Sequence, residues 1–88
     1  MWIGHGLAAV VLEAIDDPRE RDAVVATLRD GGLETIALTR DQAARFCGNV
    51  LALADDAGAP LLVMSDAAWD GFTAAQRDRL AARATVLH

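Results

Sequence analysis

Hydrophobic and polar positions fall into short blocks along this chain, and each block has the length and period of one strand or a few helical turns. Leu7 to Leu12 is an apolar run, β-branched at Val10 and Val11, which predicts a strand covered on both faces. Asp17-Pro18-Arg19-Glu20 then reads as a helix start: a carboxylate to cap free amides, a proline in the first turn and a glutamate three residues after the cap. The inward stripe of that helix would be Arg21, Val24, Val25 and Leu28, with Val25 in the core, and Gly31-Gly32 supply a left-handed stop. Leu33 to Leu38 predicts a second strand with Ile36 and Leu38 on one face.

Thr39-Arg40-Asp41-Gln42 has the form of a capping box and opens a short helix that Gly48 should end. Val50 to Ala54 and Leu61 to Met64 are apolar runs around Asp55-Asp56-Ala57-Gly58-Ala59-Pro60, a turn-forming segment, and so predict a hairpin. A turn or short helix after Ser65-Asp66 carries Trp69 and Phe72. Thr73-Ala74-Ala75-Gln76 launches a further helix through about Ala84, and Thr85-Val86-Leu87 returns to strand. The expected order is β-α-β-α-β-β-α-β, an α/β chain with its sheet covered by helices. The last strand is so short that it is expected to pair poorly, as if cut rather than finished. Residue identity shows no internal repeat.

Composition narrows the function classes. Eighty-eight residues make one small domain at most, and 53% hydrophobic with 24% charged residues lies in the globular range. All eight cations are arginine, and thirteen acidic residues leave a net charge of −5, which disfavours binding to nucleic acid or an anionic membrane surface. The lone Cys47 forms no internal bridge, and the start Met1-Trp2-Ile3-Gly4-His5 lacks the basic flank of a secretory signal. A cytoplasmic location is the expectation.

No catalytic, cofactor-binding or metal-binding residue is expected. Cys47 ends a short helix instead of opening one, where the helix dipole would favour a thiolate, so it reads as a small structural hydrophobe. His5 and His88 have no cysteine or carboxylate at ligand spacing. Ser65-Asp66 reads as a helix or turn cap, Gly4-His5-Gly6 as a tight bend, and Asp55-Asp56 with Gly58 as a turn rather than a calcium loop. Trp69, Phe72 and Leu80 read as core before partner surface. Arg77, Arg79 and Arg83, alternating with Asp78, read as a solvated face before an interface with carboxylates.

Leu12-Glu13-Ala14-Ile15, Phe46-Cys47-Gly48-Asn49 running into the apolar Val50-Leu51-Ala52-Leu53, and Leu62-Val63-Met64-Ser65 with Gln76 and Leu80 behind them carry a family pattern. Across nearly its whole length the chain resembles the amidinotransferase-like, arginine-deiminase-related hydrolases of the guanidino-group-modifying pentein superfamily, especially their citrulline-hydrolase-like branch. The resemblance implies an α/β propeller of five modules in which a cysteine thiolate attacks a guanidino or ureido carbon and a histidine serves as acid and base. Cys47 matches the small residue between Phe and Gly, not the nucleophile. The segments that would hold the histidine and the nucleophile match positions before Met1 and after His88. Residues 1–88 are therefore expected to be a partial propeller, about one module with parts of its neighbours. In isolation such a chain would be inactive and would self-associate through exposed strand edges; a small guanidino or ureido substrate would be bound only by an intact parent enzyme. Asn49 matches a family asparagine at the mouth of a strand, where it would line a site or, by preference, anchor the turn. The rival expectation is a small non-catalytic interaction or dimerisation module.

Overall fold

A computed structural model describes residues 1–88. The elements run β1 (Trp2–Gly4), β2 (Leu7–Val10), a 3-10 turn (Leu12–Ala14), α1 (Pro18–Asp30), β3 (Glu34–Ala37), α2 (Arg40–Ala44), β4 (Leu51–Ala54), β5 (Pro60–Val63), α3 (Asp66–Gly71), α4 (Ala74–Ala81) and β6 (Thr85–Leu87). The mixed α/β class is as expected, but there are two separate three-stranded sheets, β1-β2-β3 and β4-β5-β6. These strands close no barrel or propeller.

Both sheets are built alike. In each, a hairpin supplies the first two strands and a helical crossover returns the chain to a third strand parallel to the second. The first hairpin was not expected, because Trp2-Ile3-Gly4 is too short to show a period. It forms because His5 (φ 51) and Gly6 (φ 79) both take the left-handed region, as a two-residue hairpin turn requires. The second hairpin joins β4 and β5 as expected. Asp55 organises its turn by accepting from the amides of Ala57 at 2.9 Å and Ala59 at 2.8 Å, and Pro60 occupies the first position of β5.

The helix starts follow the caps. Asp17 accepts from the Arg19 amide, whereas Thr39 and Thr73 each form a complete capping box with Gln42 and Gln76. The ends differ from expectation. The α2 helix stops at Ala44 and the left-handed residue beyond it is Phe46 (φ 68), not Gly48. Helix α4 stops at Ala81. Ser65 caps α3 through a bond from the Ala68 amide, the structural role expected of it. The terminal β6, expected to pair poorly, is in register with β5 along its whole length, Leu61 with Thr85 through Val63 with Leu87. Val86 packs on the core and the Met64 amide donates to the Leu87 carbonyl, so three residues are held by more than their own ladder.

The two sheets touch where β1 meets β4: a Cβ built on Gly4 would lie 2.3 Å from Ala52 Cβ. Away from that line α4 lies between the distal strands, bonded to β3 and packed on β6. Helices α3 and α4 thus fill a wedge between the sheets. One core cluster runs through it, with Trp2, Leu7, Ala9 and Ile36 from the first sheet, Leu62 from the second, and Cys47, Phe72 and Leu80 between them. Ala8 and Val10 are buried outside that cluster, on the opposite face, which α1 covers. The layers therefore alternate: α1, first sheet, α3–α4, second sheet. Helix α1 presents the expected stripe, but Val24, Val25 and Leu28 are only half-buried and none of its residues is fully buried. A core position for Val25 is thereby corrected: one thin helix on the end of the stack has nothing on its far side.

Candidate functional site

Cys47 is the natural place to look for a nucleophile, and its surroundings make it a core residue. It is fully buried, its sulfur 3.3 Å from the Ala68 carbonyl, while its own carbonyl accepts from Trp2 Nε1 at 2.9 Å. Burial pushes the thiol above its ordinary value of 9.0, and the nearby Arg45 offsets this only in part. A Cβ on Gly71 would meet the sulfur at 2.9 Å, so no room exists for a reactant beside it. No histidine hydrogen-bonds to it.

The histidines are engaged elsewhere. His5 Nε2 lies 2.9 Å from the Leu53 carbonyl and 3.0 Å from the Leu61 carbonyl, two acceptors, which places the proton on that nitrogen and ties the first hairpin turn to the second hairpin. His88 pairs with Asp66 at 2.8 Å and stacks on Trp69, whose ring also carries Arg77 at 5.0 Å. Phe72 is buried as core, whereas Trp69 is half-buried under these two neighbours. No three His, Cys, Asp or Glu side chains converge to hold a metal ion. Asn49 is exposed: its backbone amide anchors the turn by donating to Phe46 O at 2.8 Å, and its side chain makes no hydrogen bond.

Sequence reasoning missed the polar clasp between the two units. Gln42 and Gln76, each the third residue of a capping box, also bond to one another at 2.6 Å, and Gln42 reaches Gly71 O while Gln76 reaches Ala37 O. Arg79 donates to Glu34 and to Thr35 O, both at 2.6 Å, and Arg83 reaches Glu34 at 3.4 Å. Arg79 and Arg83, expected as part of a solvated face, instead hold the Glu34 carboxylate, whereas Arg77 donates to Trp69 O. Arg79 and Gln76 take two outward carbonyls of β3, Thr35 O and Ala37 O, which blunts that edge against strand pairing. Equal spacing of Thr39-x-x-Gln42 and Thr73-x-x-Gln76 was the available signal, but capping explained it fully at the level of sequence.

Beside the clasp lies a groove of about 480 Å³ between α1 and β3, with Leu12, Val25 and Leu33 as apolar lining and Arg29, Glu34 and Arg79 as charged groups. Glu34 is held below its ordinary 4.5 chiefly by the hydrogen bond from Arg79. The folded protein binds this proton less readily than the unfolded chain, so the stabilisation is whole above about pH 4.5 and fades as the pH drops through the lowered folded value. Glu34→Gln is expected to cost about 1 kcal/mol at pH 7, less in high salt because the pair is partly solvated, and the difference from the parent should narrow in melts at progressively more acid pH. The groove holds charge and apolar surface but no nucleophile or free base.

Compared with known proteins, residues 1–88 match the family model described as eukaryotic N,N-dimethylarginine dimethylhydrolase. The chain belongs to the dimethylarginine dimethylhydrolase family. That family is one of the guanidino-group-modifying pentein families, as the resemblance implied. No curated protein and no solved structure matches the chain. Several of the residues that carried the resemblance serve as framework, whereas Phe46, Asn49, Leu51 and Leu53 are exposed. Glu13 accepts from the Arg40 amide at the start of α2, Cys47 and Leu80 sit in the core, and Gln76 joins the two units. No helix of the structure is long and apolar enough to cross a membrane.

Proposed function

We propose that these residues are the framework of a guanidino-group hydrolase, and that the reaction cleaves a C–N bond of arginine, citrulline or a relative such as a methylated arginine. In this reading a thiolate attacks the guanidino or ureido carbon, an amine or ammonia leaves with a proton delivered by a histidine, and water then releases the enzyme. Within residues 1–88 the one thiol is buried and no histidine hydrogen-bonds to it. The observation that carries the reading is Cys47: a thiol that is fully buried against Ala68 and pushed up by its surroundings is a packing residue. The chain alone therefore has no turnover, and the activity needs a thiolate and a histidine from outside it.

The test is release of citrulline and dimethylamine from dimethylarginine, and of ammonia from arginine and citrulline, by the purified chain with Cys47→Ser as control. The expected result is no release from any of the three. Turnover that disappears in Cys47→Ser would overturn the reading. The rival of a non-catalytic interaction module has one observation in its favour, the uncovered face of the second sheet. Self-association through strand edges would use β6, since β3 is blunted and β1 and β4 lie against each other.

A further inference from the structure

The groove between α1 and β3 runs along the free edge of the first sheet, and the polarity of that edge is one-sided. The amides of Glu34 and Leu38 donate to Gly6 O and Val10 O at 2.8 Å, so alternate residues of β3 face β2. Thr35 and Ala37, between them, turn both their backbone groups outward. Their carbonyls are filled by Arg79 Nη2 at 2.6 Å and Gln76 Nε2 at 3.0 Å. Their amides are bonded to no acceptor in the protein. A further strand would need donors and acceptors in alternation, and only donors are left here.

The charged groups of the lining share this bias. Arg29, exposed on the last turn of α1, makes no side-chain hydrogen bond or ion pair. Glu34, the one acid in the lining, is already held by Arg79 at 2.6 Å and Arg83 at 3.4 Å. Within the lining two guanidinium groups therefore meet one carboxylate, an excess of positive charge on a chain whose net charge is −5. Leu12, Val25, Leu33 and Ala37 supply the apolar part, and the volume of about 480 Å³ falls within the roughly 300–1,000 Å³ of small-molecule sites. Because β2 and β3 are parallel, α1 between them runs the opposite way. Arg29 is thereby set beside the start of β3, with Val25 and Leu12 farther along it toward Ala37.

We propose that this groove binds a small monocarboxylate with an aliphatic body. Its carboxylate accepts from Arg29 and the Thr35 amide, and its chain lies on Leu33, Val25 and Leu12. The charged and backbone groups left free in the groove are all donors, which a carboxylate satisfies and an ammonium or guanidinium compound does not. The site is separate from the hydrolase reaction, since its lining contains no thiol and no histidine, so its failure would leave that reading untouched.

Titrating octanoate into the purified, isotope-labelled chain, with the backbone amide signals followed by nuclear magnetic resonance, tests this. The Thr35 signal should move and saturate, with a dissociation constant on the order of 1 mM for a ligand of this size. Arg29→Gln should weaken binding at least about tenfold, and Arg29→Lys, which keeps the charge, should restore most of it. The Arg29 side chain bonds nothing in the protein, so both variants should keep the native circular dichroism. Octylammonium, with the same chain and the opposite charge, should leave the Thr35 signal in place at the concentrations where octanoate saturates it. A Thr35 signal that does not respond to octanoate overturns the proposal. So does binding that Arg29→Gln leaves unchanged, and so does octylammonium binding as tightly as octanoate, either of which would mean an apolar groove without a carboxylate site.

Discussion

Leu80→Ala is expected to remove about 3 kcal/mol of stability, more than half of the roughly 5 kcal/mol available to a domain of this size. Leu80 is fully buried on α4, inside the one cluster that contains residues of both sheets. Truncation there loses the transfer energy of the removed methyl and methylene groups and leaves a cavity that the surroundings cannot collapse around. On one side the polar clasp of Arg79 and Gln76 fixes α4 to β3, and on the other α4 packs on β6. Urea melts followed by far-ultraviolet circular dichroism would measure it. A loss below about 1 kcal/mol would show that the two units do not share a core.

Gly4→Ala is the second large effect. The added methyl would stand 2.3 Å from Ala52 Cβ, with both residues held in the ladders of their own strands. Overpacking of this kind costs about 2–3 kcal/mol. Ala52→Gly removes the obstructing atom and on its own should cost about 0.5–1 kcal/mol for the strand glycine. The double variant should then be more stable than Gly4→Ala by about 1 kcal/mol or more, a coupling that distant sites would not show. Simple additivity of the two changes would mean that β1 and β4 are not in contact.

The elements with strong local chemistry were legible in the sequence. Asp17-Pro18, Thr39 to Gln42 and Thr73 to Gln76 each fix a helix start through their own side chains, and the turn beginning at Asp55 fixes a hairpin in the same way. What depends on distant partners was not legible. Trp2-Ile3-Gly4 becomes a strand only because Leu7 to Ala9 pairs with it, and β6 is secured by β5 and the core. The doubled architecture was hidden for the same reason: without the first hairpin, the two units do not look alike. Val25 was read as core because its helical stripe is correct, but a stripe gives direction without telling how much lies over it. The clasp was hidden in residues that already had a local explanation, since a capping glutamine or a helical arginine needs no second partner. Cys47 is buried, as a small structural hydrophobe would be, although α2 stops at Ala44 and the residue does not end that helix.

The central claim is that the sulfur in this chain is packing material and not machinery. Its most direct test is to incubate the folded protein with a haloacetamidine, a reactive mimic of the guanidino group, and to map any adduct by intact mass and peptide mass spectrometry. No adduct should form at Cys47 under native conditions, and full labelling should follow once urea unfolds the chain. Rapid alkylation of Cys47 in the folded protein, faster than in the unfolded one, would contradict the account.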